Sequence, residues 1–111
     1  MLMTLQVEIT GAVVKSLRDL LNVSRGTKNT YPKIDGFCKY LSLHRIGGNP
    51  VHIVGSPDAT ASDSGFIIPS EGSGPPFVLE DMNRGLIPLE DIYLLHESPA
   101  STSLRVVLIQ D

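Results

Sequence analysis

Tryptophan is absent from this 111-residue chain, and three Tyr and three Phe are its whole aromatic complement. A module that holds sugars against exposed rings would be short of material. Cys38 is the single cysteine, so no disulfide closes within the chain and no paired-thiolate metal site forms, a usage that fits a reducing compartment. No run approaches the roughly 20 apolar residues of a membrane helix. Met1 to Thr10 alternates apolar and polar residues without a basic lead, so it does not read as a signal peptide. The expectation is a soluble product with no membrane partner. Basic charge is also scarce: 9 Lys and Arg stand against 12 Asp and Glu, a net charge of −3. That is the opposite of a nucleic-acid-binding footprint and disfavours direct contact with DNA or RNA.

What the chain has in quantity is punctuation. Ten Gly and eight Pro divide it into short segments, and its length allows one domain, residues 1–111. Met3, Leu5, Val7 and Ile9 alternate with Thr4, Gln6 and Glu8, the period of a strand with one buried and one wet face. Val13, Val14, Leu17, Leu20 and Leu21 then recur at three- and four-residue steps, which predicts one short helix over Val14 to Leu21 with Ser16 as a cap and Asp19 in its first turn. Ser24 to Lys33 reads as a loop. Phe37 to Ile46 and Val51 to Val54 read as strands joined through Gly47-Gly48-Asn49-Pro50 into a hairpin. Gly55 to Pro76 is turn-rich around the apolar island Phe66-Ile67-Ile68, and Phe77 to Leu79, Ile92 to Leu95 and Leu104 to Ile109 complete the set. The pattern predicts an all-β fold, a β-sandwich or jelly roll of about seven short antiparallel strands with one short N-terminal helix.

No constellation in the sequence carries chemistry. His44, His52 and His96 lack the short paired spacings of a metal site, and the clustered His and Glu ligands of a cupin are missing. Cys38 and His44 in one extended strand would lie roughly 20 Å apart, too far for a thiol and its base, so Cys38 reads as a buried structural thiol. No Gly-x-Ser-x-Gly elbow occurs, and Gly72-Ser73-Gly74 precedes prolines instead of a helix. The acid pairs Glu80-Asp81 and Glu90-Asp91 flank turns, where solvated carboxylates are ordinary. The chain is expected to be no enzyme and to need no cofactor or metal.

Two features point to partners. Residues 1–55 carry a charge of +4 and residues 56–111 a charge of −7, which gives either two faces of opposite sign or, if the halves interleave, a mixed surface. The last strands also look apolar on both faces: Leu104, Val106 and Leu108 back onto Arg105, Val107 and Ile109, and Ile92 and Leu94 onto Tyr93 and Leu95. A small sandwich has no helices to cover both sides of its sheets. Either the single helix lies over the second face or another copy does. On the second account Tyr93, Leu95, Arg105, Val107 and Ile109 form a subunit interface, each buried aliphatic side chain adding about 1.5 to 3 kcal/mol.

From about Tyr40 onward the sequence resembles small virion proteins of tailed bacteriophages with a jelly-roll or β-tulip body. The resemblance is carried by YLSLHRIGGNPVHIVG (Tyr40 to Gly55), SDSGFIIPSEG (Ser62 to Gly72), PLEDIYLLHE (Pro88 to Glu97) and the terminal LRVVLIQD. It implies a capsid cement or decoration protein, a homotrimer that binds the major capsid protein between capsomers and stabilises the head of a virion assembled in the host cytoplasm. The capsid-contacting residues would then lie in the loops, at Arg25, Lys28, Lys33, Asp58 and Asp63. A head-to-tail connector, neck or tail subunit is the alternative within the virion, and a ligand- or carbohydrate-binding β-sandwich module the alternative outside it.

Overall fold

In a computed structural model of the chain, residues 1–25, 31–34, 36–63 and 65–110 are described. Ten strands run in the order β1 (Leu2–Thr10), β2 (Val13–Ser16), β3 (Phe37–Cys38), β4 (Tyr40–Gly47), β5 (Val51–Val54), β6 (Phe66–Ile67), β7 (Phe77–Glu80), β8 (Ile87–Pro88), β9 (Tyr93–His96) and β10 (Ser101–Ile109). One α-helix, α1 (Leu17–Arg25), follows β2. The strands form two four-stranded sheets, ordered β1-β10-β4-β7 and β2-β9-β5-β6, with β3 and β8 pairing separately. All pairings between named strands are antiparallel.

With β3 and β8 set aside, the pairing is nested: β1 with β10, β2 with β9, β4 with β7, β5 with β6. A long ribbon folded in this way and rolled across two sheets is a jelly roll. The all-β sandwich expected from the sequence is therefore the fold, with ten strands in place of about seven. The nesting also decides the charge question, because each pair joins a strand from before residue 55 to one from after it. The two sequence halves mix within both sheets, and Arg18 of the first half pairs with Glu90 of the second at 3.1 Å.

The alternation in β1 has the predicted consequence. Met3, Leu5, Val7 and Ile9 are buried, as are Leu104, Val106 and Leu108 opposite them and Leu41 and Leu43 on β4. Val51 and Leu94 of the second sheet, with Val13 and Ile53 packed beside them, meet this layer in one apolar core. Leu17 and Leu21 of α1 enter the same core and are fully buried.

Four local expectations need correction. The helix starts at Leu17, three residues later than predicted and running on to Arg25, because Val13–Ser16 is drawn into the second sheet against Tyr93–His96; β-branched Val13 and Val14 suit a strand better than a helix. Ser16 is no cap, since its buried hydroxyl has no hydrogen-bond partner. The predicted hairpin between Phe37–Ile46 and Val51–Val54 does not form, because β4 pairs with β10 and β7 while β5 pairs with β9 and β6. Gly47-Gly48-Asn49-Pro50 carries the chain from one sheet to the other. Ser24 and Arg25, read as loop, are the last turn of α1.

Candidate interaction surface

Three chain crossings between the sheets, at Gly11-Ala12, Gly47 to Pro50 and Glu97 to Ala100, are tied together by buried polar groups. His96, on the inner side of β9, is 1% exposed. Its Nδ1 lies 2.9 Å from the Gly11 carbonyl and its Nε2 2.8 Å from Thr102 Oγ1. A carbonyl only accepts, so Nδ1 carries the proton. Thr102 Oγ1 in turn accepts from the Asn49 backbone N–H at 2.9 Å, so one hydroxyl serves both the ring and the crossing. Gly48 fits against this group because it has no side chain: a Cβ there would stand 2.8 Å from Thr102 Oγ1, at a φ of +95°. His96 is thus a structural residue, its hydrogen bonds spent inside the fold.

The other titratable candidates are dispersed. His44 Nε2 lies 2.9 Å from the Gly74 carbonyl, and His52 sits on the second sheet with Nε2 3.6 Å from Glu97. Cys38 is buried in β3, and loss of solvent pushes its thiol up to about 11, a backbone hydrogen bond involving Tyr40 acting weakly the other way. A thiol held protonated there is a poor nucleophile. Among the described residues no group of three His, Cys, Asp or Glu side chains is placed to hold a metal ion, and no helix is long and apolar enough to cross a membrane.

The outer face of the first sheet is more informative. Register sets Leu2, Ile109, Tyr40 and Glu80 in one row across the four strands, then Thr4, Val107, Ser42 and Val78, then Gln6, Arg105 and His44. The first two rows are largely apolar and the third is polar. The polar end is held by the chain itself: Arg105 is 3.5 Å from Glu71, and Glu71 N–H donates to the Arg45 carbonyl. At the apolar end Leu2 and Val78 are exposed, and Tyr40, Val107 and Ile109 are half-buried.

The five residues expected to form one subunit interface are consequently divided. Arg105, Val107 and Ile109 lie on the outer face of the first sheet, and Tyr93 and Leu95 on the outer face of the second, on the opposite side of the sandwich. Leu95 is buried within its own chain beside β2 and β5. Leu2, Tyr40 and Val78 join the first group. Leu2 shares the face of Thr4 and Gln6, and the register sets it beside Ile109.

The loop residues are also placed. Arg25 ends α1 and donates to the Tyr31 carbonyl at 3.3 Å. Lys33 and Asp58 are exposed. The Asp63 carboxylate accepts from the Thr60 N–H at 2.9 Å and stabilises the 3₁₀ turn Ala61–Asp63. Lys28 lies outside the described residues.

The free edges of the sheets differ in how they are finished. In β1 two outward main-chain groups are taken up by the chain itself, Thr4 N–H by the Tyr31 hydroxyl at 3.3 Å and the Gln6 carbonyl by the Ser24 hydroxyl at 2.7 Å. At the other edge, β7 presents Val78 and Leu79, 41% and 36% exposed, with no such hydrogen bond to its outward main chain among the described residues. Comparison with protein-family models, with curated proteins and with solved structures finds no match for this chain.

Proposed function

We propose that this protein is a structural subunit of a virion, a capsid cement or decoration protein of the tailed-phage kind, that acts by packing against neighbouring protein rather than by catalysis. The observation that carries the reading is the apolar end of the first sheet's outer face, where Leu2, Tyr40, Val78, Val107 and Ile109 share two adjacent rows with Thr4, Ser42 and Glu80. Such a patch on a small chain is typical of a protein-binding face. Jelly rolls serve virion proteins as well as lectins and cupins, so the fold permits the role without establishing it. The sequence resemblance selects among those uses. Burial of this face between capsomers would stabilise the shell by binding the assembled state.

Mass spectrometry of particles purified on a density gradient from the source culture tests the reading. The chain is expected in the particles at a copy number comparable with that of the shell protein. A connector or tail subunit would appear at far lower number, and absence from the particles would overturn the assignment.

A further inference from the structure

The geometry points to a second copy of this chain as the partner of the β7 edge, joined to it strand to strand about a two-fold axis through Leu79. This rests on the proposed role only in taking the chain to be an assembly subunit.

Asp81 N–H donates to the Lys39 carbonyl at 2.8 Å, and Leu79 pairs with Leu41. Main-chain groups alternate sides along a strand, so those of Phe77, Leu79 and Asp81 face β4 while those of Val78 and Glu80 face away from it. Beyond them there is no further strand of the sheet among the described residues. An edge of this kind is a template for another strand unless it is charged, bulged or covered. On the β1 edge Tyr31 and Ser24 occupy the Thr4 N–H and the Gln6 carbonyl. β7 carries one charge, the exposed Glu80 at its end, beside two exposed aliphatic residues, Val78 and Leu79, and exposed Met82 and Leu86 follow it.

Register leaves self-pairing one axis without a fault, and a copy of β7 brings the same two outward residues. Hydrogen-bonded partners must both point outward, so Val78 and Glu80 are the residues available to exchange bonds. An axis at Val78 would set Glu80 against Pro76, which has no N–H to give. An axis at Glu80 would place two carboxylates directly opposite each other. An axis at Leu79 avoids both faults: Val78 of each copy exchanges main-chain hydrogen bonds with Glu80 of the other, and the two Leu79 side chains meet across the close, non-hydrogen-bonded position. The first sheets of the two copies then continue into one, as in strand addition to a sheet edge. The pairing is two-fold, so it predicts a dimer where the family resemblance implies a trimer.

Light scattering on the purified full chain, from low micromolar to near-millimolar concentration, should give twice the 12.0 kDa of one chain. Val78→Pro removes an outward N–H without touching the β4 ladder and should return the mass to one chain with the circular dichroism spectrum unchanged. In a second variant, Leu79→Cys should cross-link to a dimer under mild oxidation, faster than Glu80→Cys. A single-chain mass at every concentration would overturn the inference, and so would a dimer or trimer that survives Val78→Pro and does not cross-link through position 79. Either result leaves the virion assignment standing, since that is read from particle composition.

Discussion

Single residues hold the sheets in register at one end of the sandwich. Thr102 is 1% exposed and joins His96 to Asn49 through one hydroxyl. Thr102→Val keeps the shape and removes the oxygen, leaving the Asn49 N–H and the His96 Nε2 without a partner. A buried group so stranded costs about 1 to 3 kcal/mol, which urea denaturation should show as a lower midpoint. Gly48→Ala is expected to be destabilising through both its φ of +95° and its approach to Thr102. Nothing in the sequence displays this cluster, since His96, Thr102, Asn49 and Gly11 belong to four chain segments that meet only in the folded molecule. Cys38 was legible as a buried thiol. Its ordinary value of 9.0 is raised to about 11, so the native state keeps a proton that the unfolded state loses in that window. Stability should therefore fall as pH rises from about 9 to about 11, and Cys38→Ala should lessen the fall. In the native protein the thiol should react slowly with a thiol reagent, and rapidly once urea is added.

At the scale of elements, periodicity located most strands and misassigned their neighbours. β1 was plain because an edge strand with a dry and a wet face alternates strictly. α1 was placed too early because Val13 and Val14 satisfy a helical spacing as well as a strand pairing, and only β9 decides between them. The hairpin through Gly48 failed for a related reason: two strands joined by a short turn are adjacent in sequence, but in a jelly roll the turn can span the gap between sheets. The residues that β4 meets on β10 lie far along the chain, from Ser103 opposite Gly47 to Ile109 opposite Tyr40. α1 matters to the sandwich through Leu17 and Leu21, which close the core beside β1. Leu21→Ala should cost about 2 to 5 kcal/mol, readable as a lowered melting temperature, whereas Val23→Ala at the exposed face should be near neutral.

For the whole molecule, the surplus apolar surface that the last strand displays in the sequence is real on one side. Val107 and Ile109 remain half-exposed beside Leu2 and Tyr40, and α1 spends its buried side chains on the core. Tyr93 and Leu95 belong to the opposite face, so one contiguous interface cannot include all five residues named from the sequence. The unprotected β7 edge borders the apolar face, and the two together describe a surface suited to continued sheet and packed neighbours. The most direct measurement is hydrogen exchange at the Val78 and Glu80 amides as a function of protein concentration. Protection that rises with concentration at these two positions, while Thr4 stays constant, is the predicted result; free exchange of both amides at every concentration would contradict it.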